Sequence, residues 1–336
     1  MRAIMIGCGG ISAAWLTALQ DLPQAEIVGL VDLNEKAARA RAEEFGLDVP
    51  LYTRVEDALD ELGPEVAFDC TIPEAHAGTD LLCMEAGCHV LCEKPLAHDL
   101  EAAKKVVDAA RALGRTHAVM QNRRYQSDIV RFRALLRSGV LGRLTSLHAE
   151  FFLGAHFGGF RAEMRNVLLL DMAIHTFDAA RFLMDARPTR VVAVEWNPEG
   201  SWFAHGAAAS VIVTMDNGSV FTYQGNWAAE GLHTSWESSW RAVATGGSAH
   251  WDGASTIVAE RAGRAEGLVR PGEQIDVPAG TPLEHTGHAG CIHDFLVSVS
   301  KGVEPMTVSH DNIYSLAMSL SAVESASSGR TVDIRL

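Results

Sequence analysis

The feature that most constrains this chain is a glycine-rich turn at the end of its first apolar run. Residues Ala3–Gly7 have the pattern of a strand, and Gly7-Cys8-Gly9-Gly10-Ile11-Ser12 leads from it into a helix-like segment. Such a turn presents backbone N–H groups at the positive end of a helix, where a pyrophosphate binds. Gly7 allows the tight turn and Gly9 a close approach, whereas Ser12 stands where Gly or Ala is usual. The pattern predicts a dinucleotide-binding unit.

The alternation of strand and helix continues through the first third of the chain. Further strands are predicted at Glu26–Val31, Val66–Cys70, His89–Cys92 and His117–Met120. The helices between them are predicted at Ser12–Leu19, Glu35–Glu44, Ala75–Glu85 and Leu100–Leu113. Short apolar runs that alternate with amphipathic helices are typical of a parallel sheet with helices on both faces. We therefore predict an α/β fold class, with an N-terminal Rossmann domain, a doubly wound parallel sheet, over residues 1–122.

Residues 123–336 have a different pattern and predict a second domain, as the length of 336 residues also suggests. Helices are predicted at Ser127–Ser138, Asn166–Met184, Gly290–Ser300 and Asp311–Ser327. Strands are predicted at Leu144–Phe152, Val191–Trp196, Ala207–Met215, Ser219–Asn226 and Trp240–Thr245. Asp216-Asn217-Gly218 is a strong hairpin turn. Successive strands without intervening helices predict an α+β domain on an open, mostly antiparallel sheet, which we assign to substrate binding and oligomerisation.

Composition narrows the class of partner and the cellular compartment. The net charge is −14 and no run of Lys or Arg forms a basic stripe, which argues against nucleic acid as a partner. The first strand starts almost at Met1, which leaves no room for a signal peptide, and no apolar run approaches a membrane span. The six cysteines lack the paired spacing of a zinc site. We expect a cytoplasmic protein with reduced thiols, no bound metal and no membrane contact.

A carboxylate at the end of the second strand bears on the choice of dinucleotide. Asp32 lies about 20 to 25 residues after the glycine turn. At this position a carboxylate accepts hydrogen bonds from the adenosine ribose. A 2′-phosphate would meet its negative charge, and Leu33 and Asn34 beside it supply no arginine. The sequence predicts NAD as the cofactor, with NADP less favoured. The alternative for Asp32 is a local role as a cap of the turn or helix at Asn34-Glu35.

Further motifs give the chain a recognisable pattern. In chain order they are Thr71-Ile72-Pro73-Glu74-Ala75-His76, His89-Val90-Leu91-Cys92-Glu93-Lys94-Pro95-Leu96, Asp171-Met172-Ala173-Ile174-His175, Gly302-Val303-Glu304-Pro305 and Ser325-Ala326-Ser327-Ser328-Gly329-Arg330. With these motifs the chain resembles, nearly end to end, the Gfo/Idh/MocA family of NAD(P)-dependent sugar and cyclitol oxidoreductases. The family often has glycines near the Asp/His motif where this chain has Arg165-Asn166-Val167 and Ala173, which leaves the identity of the sugar open.

The resemblance implies roles for the site residues. In such enzymes the lysine and histidine that match Lys94 and His175 flank the reacting carbinol beside the nicotinamide. His175 is then the general base, since an imidazole titrates near neutral pH, and Lys94 stabilises the developing alkoxide. Asp171, one helical turn earlier, orients the substrate or the ring. A cis bond before Pro95 is implied as well, and the cofactor-binding residues implied are Gly7, Gly9, Gly10, Ile11, Asp32, Thr71, Pro73, His76, Glu93 and Lys94.

The helix predicted at Asn166–Met184 carries its polar residues on one stripe. Asp171, His175 and Asp178 share that stripe, and apolar residues cover most of the rest. A helix this apolar is buried, so its polar stripe faces partners or a wet pocket. For Asp178 we predict an ion pair with Arg181, three residues on, in place of a catalytic role.

Substrate contacts are predicted for basic and aromatic residues. Asn122-Arg123-Arg124-Tyr125 follows the last strand of the first domain, where a family member has cofactor- and substrate-facing groups, and we assign substrate contact to Arg124. His233 and Trp236 lie in the irregular segment Ala228–Ser239, where an aromatic face beside an imidazole suits a pyranose or cyclitol ring. The alternative for tryptophans on a sheet is a place in the core or in a subunit interface.

These expectations predict an NAD-dependent oxidoreductase that takes a hydride from a secondary or anomeric hydroxyl of a sugar, sugar derivative or cyclitol. An NAD(P)H-dependent ketosugar reductase and a dihydrodiol dehydrogenase are alternatives that use the same cofactor chemistry. A dinucleotide-sensing protein without catalysis is a third, disfavoured because Lys94, Asp171 and His175 are all present. An open sheet with an exposed apolar face also predicts a homodimer or homotetramer.

Overall fold

The chain folds into two compact units. The computed structural model describes residues 1–264, 268–280 and 282–336. The N-terminal unit comprises Met1–Tyr125 and Leu283–Leu316, and the second unit comprises Gln126–Pro282 and Ala317–Leu336. In the described ranges, none of the helices combines the length and hydrophobicity that a membrane crossing needs.

The strands and helices are numbered along the chain. The strands are β1 (Arg2–Ile6), β2 (Glu26–Val31), β3 (Leu51–Tyr52), β4 (Val66–Asp69), β5 (His89–Cys92), β6 (His117–Val119), β7 (Leu144–Phe152), β8 (Pro188–Trp196), β9 (Ala208–Met215), β10 (Val220–Asn226), β11 (Ser239–Ala244), β12 (Gly247–Trp251), β13 (Ile257–Ala262), β14 (Gly272–Gln274) and β15 (Val332–Asp333). The helices are α1 (Ser12–Leu19), α2 (Glu35–Phe45), α3 (Val55–Leu62), α4 (Pro73–Glu85), α5 (Leu100–Leu113), α6 (Ser127–Arg137), α7 (Phe160–Glu163), α8 (Ala173–Met184), α9 (Gly287–Lys301) and α10 (Ser309–Ser328). There is also a 3₁₀ turn at Asn122–Tyr125 and a π turn at Leu168–Met172.

The N-terminal unit is built on a parallel sheet, as predicted. Across Met1–Tyr125 the strand order is β3-β2-β1-β4-β5-β6, and each neighbouring pair is parallel. The order reverses between β1 and β4, and doubly wound sheets bind ligands outside the carboxyl ends of the strands at such a point. The glycine turn after β1 and Asp32 after β2 lie at that edge of the sheet.

Local signals account for most of the N-terminal elements. Helix α5 begins after Asp99, whose side chain accepts the Ala102 N–H (2.8 Å), and it ends at Gly114 in the left-handed conformation. Strand β3 and helix α3 are not predicted from the sequence. Strand β3 has two residues, too few to show a period, and Arg54 before α3 is not a capping residue.

The segment Leu283–Leu316 belongs to the N-terminal unit, whereas the sequence analysis assigns all of 123–336 to the second domain. Helix α9 is the reason, because its residues Phe295 and Leu296 are buried in the same apolar cluster as Trp15 of α1. Apolar periodicity predicts that a helix buries one face, but it does not predict which sheet or helix covers that face. The sequence pattern therefore does not predict that Leu283–Leu316 packs in the N-terminal unit.

The second unit is built on an open sheet that is mostly antiparallel, as predicted. Within the described ranges the strand order is β14-β13-β12-β11-β7-β10-β9-β8-β15, and β7 and β10 form the parallel pair. The predicted hairpin at Asp216-Asn217-Gly218 joins β9 to β10. One face of the sheet contributes Phe221 and Trp240 to a core that also holds Phe132 of α6 and Phe177 of α8.

The helix predicted at Asn166–Met184 is interrupted before α8. The segment Leu168–Met172 forms a π turn, closed by a hydrogen bond from the Ala173 N–H to a carbonyl five residues back. A π turn changes the rotation per residue, so the regular helical spacing predicted between Asp171 and His175 is altered. Turns of this kind occur frequently at functional sites.

Candidate active site

The glycine turn after β1 has the close contacts that the sequence predicts. Gly7 has a φ of 86°, and a Cβ on it would lie 2.6 Å from the carbonyl carbon and oxygen of Cys70. Ser12, the departure from the usual fingerprint, is buried and donates its hydroxyl to the Gly9 carbonyl (2.6 Å). Apart from the glycine and its two chain neighbours, no heavy atom of the described residues lies within 4 Å of a Cβ placed on Gly9 or Gly10. The turn is therefore tight on its inner side and open on its outer side.

Two alanine substitutions distinguish these sides. Gly7→Ala is expected to lower the free energy of unfolding by about 2–5 kcal/mol, because alanine is strained at positive φ and its methyl group meets the Cys70 backbone. Gly9→Ala is the matched control. It is expected to keep its stability and to weaken NADH binding, since the open side is where a pyrophosphate approaches. Urea unfolding and NADH fluorescence titration measure the two effects, and equal stability of both variants would contradict the assigned contact.

Asp32 follows β2, as predicted, and its carboxylate orders the two turns beside it. One oxygen accepts the Cys8 N–H (2.8 Å) and the other accepts the Asn34 N–H (2.8 Å). The cap of α2 is Asn34, whose side chain accepts the Lys36 N–H (3.2 Å). Asp32 thus has the turn-capping role of the sequence alternative. Each carboxylate oxygen has a further lone pair, so this role leaves acceptor capacity for ribose hydroxyls.

Arg41 contacts the glycine turn, although the sequence analysis does not identify it. It lies on α2, and its guanidinium donates to the Gly9 carbonyl (2.8 Å) and pairs with Glu44. Its side chain is 12% exposed, against 59% for Arg39 on the same helix. The glycine turn therefore has a positive charge beside it, although the residues next to Asp32 in sequence supply none.

Lys94 follows β5 at the carboxyl edge of the sheet, and its backbone is held on both sides. The buried Glu93 carboxylate accepts the Lys94 N–H (2.9 Å) and the Trp15 indole N–H (2.8 Å). On the other side, the Pro95 carbonyl lies 2.7 Å from Nδ1 of His76. The peptide bond between Lys94 and Pro95 is cis, as the resemblance implies. The lysine backbone is thus fixed at the same edge as the glycine turn.

His76 is buried and its ring is directed at the backbone. Its Nδ1 and Nε2 lie 2.7 Å and 3.1 Å from the carbonyls of Pro95 and Thr71. The Asp69 carboxylate lies within 4.8 Å of this ring, and burial, with Asp80 beside it, raises the pKa of Asp69 well above its usual value. His76 joins two loop segments here, and direct contact with a cofactor stays a prediction.

The other predicted cofactor residues lie at the ends of the same elements. Thr71 follows β4, and its N–H donates to the Asp69 carboxylate (2.8 Å). Pro73 is the first residue of α4, a position that suits proline. Ile11 immediately precedes α1 and is partly exposed. All of them lie at the carboxyl edge of the sheet, and their contact with a cofactor stays a prediction.

The 3₁₀ turn after β6 holds polar groups in two different settings. The Asn122 side-chain nitrogen lies 3.3 Å from Nδ1 of His288 on α9. Burial lowers the pKa of His288, and the charge of Glu93 opposes this shift. Arg124, which the sequence analysis assigns to substrate, is buried and donates to the Asp311 carboxylate (3.2 Å). Substrate contact stays a prediction for Arg124, while His288 joins the polar groups around Glu93.

In the second unit, Asp171 belongs to the π turn and His175 to the first turn of α8. The Asp171 carboxylate accepts a hydrogen bond from Nε of Arg161 on α7 (2.5 Å), a partner that the sequence analysis does not foresee. The predicted pair of Asp178 and Arg181 is present and buried, with 3.9 Å between Oδ1 and Nη1. The structural role predicted for Asp178 is confirmed.

Aromatic rings surround the Arg161 side chain. Its guanidinium carbon lies 5.2 Å from the ring centroid of Phe157 and 4.7 Å from that of Phe160. Trp236, predicted to contact substrate, is 44% exposed, and its ring lies 6.0 Å from that of Phe157. A cation and exposed aromatic faces beside the Asp171 carboxylate can bind a ring that carries hydroxyl groups.

Three other tryptophans of the second unit and His233 lie in different environments. Trp227 and Trp240 are buried, in agreement with the alternative that tryptophans on a sheet lie in the core. Trp202 stacks on His156, with ring centroids 3.6 Å apart. His233 is exposed, and its Nε2 lies 3.0 Å from the Ala229 carbonyl. Substrate contact stays a prediction for His233 as for Trp236.

Comparison with known proteins identifies the family. Residues 1–121 match the description "Oxidoreductase family, NAD-binding Rossmann fold", and residues 129–250 match "GFO/IDH/MocA C-terminal domain". The chain belongs to the Gfo/Idh/MocA family. This family member is 27% identical over 350 aligned positions to D-apiose dehydrogenase of Paraburkholderia graminis, covering 99% of this chain and 90% of that protein.

Two further similarities concern the sequence and the fold. The Gfo/Idh/MocA protein is 30% identical over 193 residues to D-glucoside 3-dehydrogenase of Escherichia coli K12, covering 55% of this chain and 54% of that one. Its fold matches an oxidoreductase of Agrobacterium radiobacter, solved with NAD⁺, L-tartaric acid and magnesium, with a TM-score of 0.87 at 22% identity over 99% and 98% of the two chains. The protein is an oxidoreductase of a family with an NAD-binding Rossmann fold, and the alternative of a sensor without catalysis is not supported.

Proposed function

We propose that this protein is an NAD-dependent dehydrogenase that oxidises a secondary or anomeric hydroxyl of a sugar, sugar derivative or cyclitol. The observation that carries the proposal is the fixed Lys94 turn. Glu93 and His76 hold the backbone on both sides of the lysine, at the carboxyl edge of a sheet whose glycine turn suits a dinucleotide. The names of the relatives, which include dehydrogenases of a glucoside, of apiose and of inositol, support a polyol substrate.

In this proposal His175 and Lys94 act on the same hydroxyl oxygen. NAD⁺, when bound, supplies the hydride acceptor. His175 takes the hydroxyl proton as general base. The Lys94 ammonium donates a hydrogen bond to the oxygen and stabilises the negative charge that develops as the C–H bond breaks. The order of the Glu-Lys-Pro and Asp-x-x-x-His motifs, which the family shares, supports the joint action of the two residues.

We assign Asp171 and the aromatic rings to the substrate. Arg161 fixes the Asp171 carboxylate, which then accepts hydrogen bonds from substrate hydroxyls in a constant direction. The exposed faces of Phe157, Phe160 and Trp236 offer stacking surfaces for the apolar side of a pyranose or cyclitol ring. This combination supports a ring-shaped polyol as the substrate.

The N-terminal unit fits NAD. The open space beside Gly9 and Gly10 leaves room for a pyrophosphate, and Asp32 has acceptor capacity for the ribose hydroxyls. The charge of Asp32 repels a 2′-phosphate, whereas the charge of Arg41 attracts one. Because Arg41 is already paired with Glu44 and bonded to the turn, we propose NAD as the preferred cofactor and NADP as the weaker one.

A substrate screen tests the proposal. Reduction of NAD⁺ is followed by the absorbance of NADH across aldoses, ketoses, glycosides, inositols and deoxy sugars, with NADP⁺ in parallel. We expect turnover of at least one polyol with NAD⁺. Ketosugars offered with NADH test the reductase alternative. Binding of NADH without turnover in either direction would overturn the proposed reaction while leaving the cofactor assignment in place.

The outer face of the second sheet supports self-association. Val192 and Val194 on β8 and Ile212 on β9 point away from the core and are about half exposed, and Val192 lies opposite Ile212. A contiguous apolar face of this kind is ordinarily covered by another protein surface. We propose that a second copy of the chain covers it.

Val194→Asp is expected to shift the oligomer towards the monomer mass of 36.2 kDa, because the interface would bury an unpaired charge. Light scattering after size-exclusion chromatography measures the mass. Leu232→Asp, in an exposed loop segment, is the matched control and is expected to keep the oligomer. A monomer of the unmodified protein at low concentration would exclude the proposed assembly.

A further inference from the structure

We propose that Glu284, His285 and His293 form a binding site for one divalent transition-metal ion of the Zn²⁺ type. The three residues lie in the N-terminal unit at the start of α9, and none of them belongs to the proposed dehydrogenase site. One donor atom of each residue lies within 4.8 Å of the other two. The rings of His285 and His293 are 4.7 Å apart between centroids, and Nε2 of His285 is 4.0 Å from the Glu284 carboxylate.

The backbone around Gly290 holds the two imidazoles together. His293 lies in the second turn of α9 and His285 precedes the helix, so their separation in sequence does not by itself bring the rings into contact. A Cβ on Gly290 would lie 2.7 Å from the His285 carbonyl oxygen. The absence of a side chain there lets the segment before the helix lie directly on the helix surface. The ring of His285 is thereby brought against the ring of His293.

The imidazole rings of His285 and His293 form few polar contacts with the described residues. In the ranges that the structure describes, His293 forms no hydrogen bond and no ion pair, and the His285 ring lies beside Glu284 and the His293 ring. Both histidines are partly buried, a setting in which polar side chains ordinarily have partners. Two imidazoles and a carboxylate converge here, and the described residues offer them no other hydrogen-bond or ion-pair partner, so they have donor capacity for a shared cation.

A second cluster shows the contrast. Asp69, His76 and Cys92 also have donor atoms within 4.8 Å of one another. There both nitrogens of His76 lie at hydrogen-bond distance from carbonyls, and burial raises the pKa of the Cys92 thiol well above its usual value. The thiol stays protonated and the imidazole is engaged, so that cluster lacks the donors that a metal ion needs.

The donor set selects the class of ion. Two imidazoles with one carboxylate are typical ligands of Zn²⁺ and related first-row ions, with open positions left for water. Ca²⁺ and Mg²⁺ prefer oxygen ligands and are disfavoured here. Metal–ligand bonds of about 2.0–2.2 Å require the donors to move closer than in the metal-free arrangement. The Glu284 side chain is 83% exposed and is free to close over the ion.

Metal titration of the untagged full-length protein tests the proposal. After treatment with a chelator, the protein is titrated with ZnCl₂ by calorimetry and with CoCl₂ by visible absorption. We expect one saturable ion per chain, cobalt bands that indicate nitrogen ligation, and a Tm that rises by several degrees with Zn²⁺. His285→Ala and His293→Ala are expected to abolish the binding, and Glu284→Gln to weaken it at least several-fold.

His310→Ala is the matched control. His310 lies 3.5 Å from Glu304 in the same unit, but among the described residues this pair belongs to no group of three converging donors, so this variant is expected to bind Zn²⁺ like the unmodified protein. The proposal is overturned if the unmodified protein binds no ion, or if His293→Ala binds it equally well. Circular dichroism confirms the fold of each variant, and Glu284→Gln, at an exposed position, keeps the test valid if a histidine variant misfolds. NADH titration in parallel separates a failure here from a failure of the dehydrogenase proposal.

Discussion

Replacing Lys94 or His175 by alanine is expected to lower kcat by about 10²-fold or more while the Kd for NADH changes little. Each side chain acts on the substrate oxygen in the proposed reaction, so its loss removes stabilisation of the transition state. The backbone anchors at Glu93 and His76 are expected to remain in Lys94→Ala, because they contact the main-chain N–H of Lys94 and the carbonyl of Pro95. Steady-state kinetics with the best substrate of the screen and fluorescence titration of NADH provide the two measurements.

A difference in pH dependence separates the two roles. A general base works only when it is unprotonated, so the fall of kcat at acidic pH is expected to disappear in His175→Ala and to persist in Lys94→Ala. Lys105→Ala, an exposed lysine paired with Glu101, is the control and is expected to keep full activity. Loss of NADH binding in Lys94→Ala, with kcat preserved at saturation, would reassign the lysine to the cofactor.

The bounds of several elements follow from local signals alone. Helices α1 and α5 and strands β2 and β5 agree with the predicted ranges residue for residue. Their apolar periods, together with the Asp99 cap and terminal Gly114 of α5, act within a few residues and can therefore be read from the local sequence. The Rossmann sheet was therefore predictable, and so was the position of Lys94 at its carboxyl edge.

Contacts between residues far apart in sequence were not predictable in this way. Arg41 contacts the glycine turn because helix α2 packs beside that turn. Arg124 forms a hydrogen bond with Asp311. Likewise Arg161 pairs with Asp171 through a short helix that has no periodic signal. His288 reaches Asn122 because α9 returns to the first unit. In each case the decisive partner is set by tertiary packing, which neither spacing nor local propensity encodes.

Asp32→Ala is expected to weaken NADH binding by roughly 10- to 100-fold and to reduce the preference for NADH over NADPH, because hydrogen bonds to a charged group contribute about 1.5–3 kcal/mol. The variant also removes the acceptor of the Cys8 and Asn34 N–H groups. Damage to the turn would weaken both dinucleotides alike, whereas loss of a ribose contact weakens NADH selectively. The ratio of the two Kd values therefore reports the ribose role, and an unchanged ratio would remove Asp32 from it.

Arg41 is expected to determine how strongly Asp32→Ala shifts the cofactor preference from NADH towards NADPH. Once Asp32 is removed, the guanidinium beside the glycine turn is the charge that attracts a 2′-phosphate, so Asp32→Ala/Arg41→Ala is expected to bind NADPH more weakly than Asp32→Ala. Asp32→Ala/Arg39→Ala is the matched control, because Arg39 lies on the same helix but is exposed and paired with Glu35. It is expected to behave like Asp32→Ala. Equal NADPH affinity in both double variants would show that Arg41 shapes the turn through Gly9 without reaching the cofactor.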